Sequence, residues 1–106
     1  MNIFFLHYNP TICAKYHVDR HVVKMILETC QLLCTAIWLT KEINDPEPPY
    51  KKTHENHPSS IWSRKSKKNW SWLKELGIAL CKEYTYRYNK IHKCENIIKN
   101  LNCPNL

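Results

Sequence analysis

Apolar residues recur at a helical spacing along residues 19–40, a stretch with neither glycine nor proline. With successive residues about 100° apart, one side of this stretch is apolar, and we expect it to lie in the core. That side consists of Val22, Val23, Ile26, Cys30, Leu33, Cys34 and Ile37. The opposite side carries a polar stripe, interleaved with Met25 and Leu32, that consists of His21, Lys24, Glu28, Gln31 and Thr35. The pattern predicts a long helix that is capped by Asp19.

A second periodic segment covers residues 67–88 and predicts another long helix. Its expected buried stripe consists of Trp72, Leu73, Leu76, Ala79, Leu80 and Tyr84. Glu83 lies within this stripe. Because an unpaired buried carboxylate is costly, we expect Lys24 or Arg87 to pair with it.

Shorter elements complete the predicted fold. Asn9 and Pro10 form a helix start, so a short helix is expected over residues 10–17, and others over 59–66 and 92–101. Four prolines between residues 42 and 58 predict a long loop, and residues 2–6 a short extended arm. The sequence therefore predicts an all-α fold. It is a compact single-domain helical bundle over residues 1–106, with a short N-terminal extended arm and a long Pro-rich loop.

Composition excludes several classes of protein. The chain has one glycine, Gly77, which excludes phosphate-binding loops and nucleophile elbows that need several glycines. We find no secretory signal and no uncharged apolar stretch of the ~20 residues that a membrane span needs. The six cysteines are therefore expected to be buried thiols in a reducing compartment. We expect an intracellular, non-secreted protein with no membrane partner and no cofactor.

The formal net charge of +7 predicts an acidic partner, and we expect that partner to be DNA. Basic and aromatic residues alternate after residue 61, where cations would hold phosphates and rings would stack on unpaired bases. The candidate DNA contacts in this segment are Trp62, Arg64, Lys67 and Lys68. One alternative is therefore a non-catalytic nucleic-acid-binding module that uses Trp62, Trp70 and the lysines around them.

His21 and Glu28 are the candidate catalytic side chains. Their seven-residue spacing is two helical turns, so both point the same way, about 10 Å apart along the axis. A half-buried carboxylate beside apolar Met25 suits general acid/base chemistry, and Lys24 and Gln31 would contact a bound phosphate or base. The alternative is a solvated helix face on which Lys24 pairs with Glu28.

The end of the predicted loop carries a second polar cluster that contains His54, Asn56 and His57. We expect these residues to anchor the loop or to contact phosphate, completing a cleft against the polar stripe. The alternative is a metal-dependent hydrolase or nuclease that uses His54, His57 and Glu28, although two histidines three residues apart need further ligands to hold zinc.

Two motifs carry a resemblance to a known family. The segment Asp19-Arg20-His21-Val22, with Glu28 seven residues after His21, resembles the first core helix of the pyrimidine dimer DNA glycosylases of phages and bacteria. In that family a D-x-H motif is followed two turns later by a catalytic glutamate.

The second motif is an H-P…W…L…L…E-Y…R-Y pattern from His57 to Tyr88, which is similar to the second long helix of the same family. Taken whole, the chain most resembles small phage and large-virus proteins of this family. The resemblance implies an all-helical enzyme that needs no cofactor, acts on damaged or modified pyrimidines in DNA and, if viral, works in the host cytoplasm or nucleus.

The resemblance also implies a reaction. The chain's α-amino group attacks the sugar C1′, forms a Schiff base, releases the base and cleaves the strand by β-elimination. Glu28 would be the acid/base that stabilises the sugar intermediate, and His21 would orient the substrate. Because Asn2 is a poor substrate for methionine removal, the amine belongs either to Met1 or to Asn2. The sequence thus predicts a DNA glycosylase with abasic-site (AP) lyase activity.

Overall fold

Five helices make up residues 2–106, the part of the chain that the computed structural model describes. They are α1 (Pro10–Lys15), α2 (Asp19–Thr40), α3 (Pro58–Ser63), α4 (Lys67–Tyr88) and α5 (Cys94–Asn100). No strand occurs within these residues, and the predicted all-α class is confirmed. The bounds of α2 and α4 agree with the prediction, whereas α1, α3 and α5 are shorter than expected.

The core lies between α2 and α4, which have 22 residues each. α1 and α5 pack against α4, and α3 packs against both long helices. The largest fully buried side chains are Trp70, Ile26, Leu32, Leu33, Leu73, Leu76, Leu80 and Ile98. The two long helices therefore form the scaffold on which the shorter elements are placed.

α2 is buried on more sides than a two-sided pattern predicts. Val23, expected in the core, is exposed, while Met25, Leu32 and Thr35 of the opposite side are buried. The reason is that α3, α4 and α5 all contact this helix. By length and composition alone α2 could cross a membrane, but 56% of its most apolar window is buried inside the fold. It is the central helix of the bundle.

The buried stripe of α4 is centred differently from the prediction. Trp70 is 1% exposed, and its indole N–H donates to the Leu33 carbonyl at 3.3 Å. Trp72 and Tyr84, expected in the core, are half-buried at its edge. Because α4 is apolar and aromatic on two sides, the packing partners decide which tryptophan is enclosed. Trp70 is thus unavailable for stacking on nucleic acid.

Gly77 allows the close approach of three helices. A β-carbon at this position would lie 3.0 Å from Cγ2 of Thr29 on α2 and 3.2 Å from Cδ1 of Ile98 on α5. Both contacts are tighter than ordinary packing. The chain's one glycine therefore lies where α2 and α5 meet α4.

Local caps define the ends of several helices. The predicted cap at Asn9 is confirmed, because its side chain accepts from the Ile12 N–H at 3.1 Å. The predicted cap at Asp19 is wrong: α2 begins after Val18 without a side-chain cap, and Asp19 is its first residue. His92 accepts from the Cys94 N–H at 3.0 Å, which places the start of α5 two residues later than expected.

Arg87 ties the end of α4 to the α1–α2 connection. Its guanidinium donates to the carboxylates of Glu83 and Asp19 and to the carbonyls of His17 and Lys15, at 2.8 to 3.1 Å. The pairing of Glu83 with Arg87, one of the two predicted partners, is confirmed. One side chain thus fixes the turn that leads into α2.

All six cysteines are free thiols. Five are buried as predicted, whereas Cys103 is exposed beyond the end of α5. Burial raises the pKa of the Cys81 thiol to about 12. These five buried thiols act as small core side chains.

Candidate active site

The N-terminal arm folds back onto the bundle. The Ser59 hydroxyl, in the first turn of α3, donates to the Asn2 side chain at 3.2 Å. The Phe4 ring stacks on His21 of α2, with ring centroids 4.4 Å apart, and the Cys13 thiol donates to the Phe4 carbonyl. These contacts hold the beginning of the described chain against α2 and α3. Met1, one of the predicted sources of the amine, lies outside the described residues.

His21 and Glu28 lie on the same face of α2, two turns apart, and both are half-buried. Between them Lys24 is exposed and forms no ion pair within residues 2–106, while Met25 is buried. Gln31 is half-buried one turn beyond Glu28. The face thus combines a carboxylate, an imidazole and an exposed cation over an apolar base.

The imidazole next to this face has a perturbed pKa. His17 is buried, and its Nδ1 lies 2.8 Å from the Cys13 carbonyl, which fits a neutral ring that donates this hydrogen bond. Desolvation lowers the pKa of His17, and the neighbouring His21 and Arg87 lower it further. Phe4 packs edge-on against His17 while it stacks on His21. The arm therefore lies on two histidines, one of which is held neutral.

The long loop is fixed to α2 near its end. The Thr53 N–H donates to the Thr35 hydroxyl at 3.2 Å, and the Trp38 indole donates to the Tyr50 carbonyl at 2.7 Å. Thr35 lies two turns beyond Glu28 on the predicted polar stripe. The loop therefore contacts the C-terminal half of α2 before α3 begins.

The polar cluster at the end of the loop has separate roles. His57 caps α3, because its Nδ1 accepts from the Ser59 N–H at 3.1 Å. His54 has a left-handed backbone, with φ of 49°, and its Nδ1 lies 2.8 Å from the Thr53 hydroxyl; it is exposed, as is Asn56. Within residues 2–106 no three His, Cys, Asp or Glu side chains are placed to share a metal ion. The predicted anchoring role fits His57 best.

An apolar groove of about 520 Å³ opens beside the arm. It is lined by Ile3, Phe5, Pro58, Ser59 and Trp62. Because Ser59 also holds Asn2, the groove lies directly next to the beginning of the described chain. Its aromatic lining can accept a planar ring, and Ser59 is its one polar lining residue.

The basic residues predicted to contact DNA flank α3. Arg64 is half-buried, and its guanidinium donates to the Ser60 hydroxyl at 3.0 Å, so this side chain has a fixed direction. Lys67 and Lys68 are exposed in the first turn of α4. Trp62 packs edge-on against Trp72. Lys67 and Lys68 therefore lie at the opposite end of α4 from Arg87.

Phe4, Phe5 and Ser59 lie at the candidate site although they were not among the predicted site residues. Two bulky aromatic residues in a short polar-flanked arm would have been a usable signal, because such rings need a partner surface. The role of Ser59 depends on the position of Asn2, 57 residues away, and no local pattern indicates it.

Comparisons with known proteins give one result. Searches of curated proteins and of solved structures found no match to this chain. The family model described as pyrimidine dimer DNA glycosylase matches residues 1–96, which include the arm, His21, Glu28 and both long helices. The chain therefore belongs to the pyrimidine dimer DNA glycosylase family.

Proposed function

We propose that this protein is a DNA glycosylase with AP lyase activity, in which the terminal α-amino group is the nucleophile and Glu28 is the acid/base. Family membership supports a glycosylase that acts on DNA. The observation that carries the proposal is the path of the arm. Asn2 is held at α3, and Phe4 is stacked on His21, so the beginning of the described residues lies against the helix that carries Glu28.

The chemistry needs no group beyond those of the chain. An α-amino group has a pKa of about 8, so a useful fraction is neutral and nucleophilic near neutral pH. Its lone pair forms a bond to C1′ of the deoxyribose, and the bond to the base breaks, the base leaving with the electron pair and gaining a proton. The amine then loses a proton and the C1′–O4′ bond breaks, with O4′ gaining a proton, so that the sugar ring opens and a Schiff base forms. This Schiff base makes the C2′ proton acidic. Removal of that proton expels the 3′ phosphate and cleaves the strand.

We propose the following roles for the side chains. Glu28 transfers protons and stabilises the positive charge on the sugar, and His21 orients the substrate through its fixed stacking on Phe4. Lys24 and Gln31 contact the strand that lies over α2. His54, Asn56 and His57 contact phosphate from the loop, and the remaining contacts come from Trp62, Arg64, Lys67 and Lys68.

Borohydride trapping on DNA that contains an abasic site tests the proposal. Wild-type protein is expected to form a covalent adduct, and acetylation of the terminal amine is expected to abolish it. On UV-irradiated duplex DNA, Glu28→Gln is expected to slow base release and strand cleavage by about 10²- to 10⁴-fold, the usual contribution of a general acid/base. Glu75→Gln, an exposed carboxylate on α4, is the matched control and should leave both rates unchanged. Absence of an adduct, or equal rates for Glu28→Gln and wild type, would refute the proposal.

A further inference from the structure

Several aromatic rings of the arm and of the end of α1 are exposed to solvent and do not form part of the core. Tyr8 is 77% exposed, Tyr16 61% and Phe5 59%. Burial of an aromatic ring is a major source of folding energy, so rings that remain this exposed contribute little of it. A cluster of exposed aromatic residues on one surface is typical of a binding site.

These rings are held in place from beneath. Phe5 stacks on Trp72, with centroids 4.8 Å apart and planes at 28°. The Trp72 indole donates to the Tyr8 carbonyl at 2.7 Å, which fixes the backbone that carries the next ring. Each ring therefore loses little additional freedom when a ligand stacks on its open side.

His7 joins the two tyrosines. Its ring stacks on Tyr8, with centroids 4.5 Å apart, and packs edge-on against Tyr16 at 6.0 Å. Its Nδ1 accepts from the Asn9 N–H at 2.9 Å, which holds the imidazole in one orientation. Phe5, Tyr8 and Tyr16 are thus linked through Trp72 and His7, and we call these three exposed rings the aromatic face.

The charge around the aromatic face favours a polyanion. Lys15 precedes Tyr16, and Lys68 lies one turn before Trp72 on the same side of α4; neither forms an ion pair within residues 2–106. The acidic residues nearby are Glu75, a turn after Trp72, and Asp19 and Glu83, both of which pair with Arg87. The whole chain carries a net charge of +7. A ligand that offers both phosphates and flat rings matches this surface, and an unpaired DNA strand offers both.

We infer that the aromatic face stacks on unpaired bases of the DNA strand next to the site, so that the protein prefers DNA whose pairing is interrupted. The inference rests on the proposed function only in taking DNA as the substrate. It assigns Phe5, Tyr8 and Tyr16 a role in substrate choice. A fully paired duplex hides the faces of its bases and would engage only the surrounding cations.

Equilibrium binding to undamaged DNA tests the inference without any chemistry. The probes are a duplex with a central single-stranded gap and the same sequence fully paired. The variant is the double substitution Tyr8→Leu and Tyr16→Leu, which changes mostly exposed rings. Tyr86→Leu is the matched control, since Tyr86 is 85% exposed in the last turn of α4 and its ring contacts no other ring within residues 2–106.

The double variant is expected to bind the gapped duplex at least about 5-fold more weakly, the lower end of the range for one lost stacking contact. Its affinity for the paired duplex and the salt dependence of binding are expected to be unchanged, because no charge is altered. The control should match wild type on both probes. Equal losses on both probes, no loss on the gapped duplex, or the same loss in Tyr86→Leu would overturn the inference.

The trapping experiment separates the two proposals. If trapping fails while the double variant still loses its preference for gapped DNA, the catalytic proposal is refuted and the aromatic face stands. If trapping succeeds while the preference is unchanged in the double variant, the aromatic face is refuted and the enzyme stands.

Discussion

Replacement of Arg87 by methionine is expected to destabilise the protein strongly, because this side chain joins three parts of the fold. It is 18% exposed and donates to the half-buried carboxylate of Glu83 and to the carbonyls of His17 and Lys15. Methionine keeps the length and the apolar stem but donates no hydrogen bond. The change leaves an enclosed carboxylate and two carbonyls without their donor.

The magnitude follows from the exposure of each partner. Glu83 is 16% exposed, so loss of its cation resembles the breaking of a buried pair, which costs about 3–5 kcal/mol when burial is complete. Asp19 is 75% exposed, and a pair that exposed contributes about 0–1 kcal/mol. We therefore expect Arg87→Met to lower the free energy of unfolding by about 2–4 kcal/mol, and Asp19→Asn by less than about 1 kcal/mol.

Urea unfolding followed by circular dichroism measures both variants. The slope of the free energy against urea should stay the same, since the fold and its buried surface are retained, while the midpoint of Arg87→Met moves to lower urea. The urea midpoint of Arg87→Lys should lie between those of wild type and Arg87→Met, because lysine keeps the charge but cannot bridge four acceptors. A similar loss in Asp19→Asn and Arg87→Met would refute the reasoning, since the exposed pair would then carry the energy.

Two further predictions concern the interior. Burial lowers the pKa of His17 and of His92 below the ordinary value of 6.5. Below about pH 6.5 the unfolded chain therefore binds more protons than the folded protein does. The free energy of unfolding should have its full value above about pH 6.5 and should fall as the pH drops below it. Urea titrations from pH 7.5 to 5 check this prediction. If the free energy of unfolding of His17→Gln falls with decreasing pH as steeply as that of wild type, the prediction is contradicted. Gly77→Ala should gain about 1 kcal/mol of folding free energy from helix propensity. The added methyl group would crowd Thr29 and Ile98, which costs about 1–3 kcal/mol. A lower melting temperature is therefore expected. A higher one would show that α5 can move aside.

Local signals allowed the helices to be predicted. The Asn9 cap depends on residues within one turn, and α2 and α4 have long apolar patterns without a breaker. Such signals could not show which of Trp70 and Trp72 is buried, because both belong to apolar stripes of α4. That choice depends on the arm, since Phe5 and the Tyr8 carbonyl hold Trp72 at the edge of the core.

The site was predictable to a similar extent. The spacing of His21 and Glu28 follows from helix geometry and could be read from the sequence. The path of the arm could not, because it depends on contacts such as Asn2 with Ser59, which join distant residues. The cap formed by His57 was also missed as such, since an imidazole nitrogen is an uncommon acceptor at the start of a helix.

The central claim is that the chain's own amino terminus performs the chemistry next to Glu28. Its most direct test is mass spectrometry of the peptide that carries the reduced sugar adduct after trapping on abasic DNA. The account predicts that the sugar is attached to the α-amino group of the first residue, and that Glu28→Gln gives much less of this peptide. A sugar attached to a lysine side chain, with the terminal amine unmodified, would contradict it.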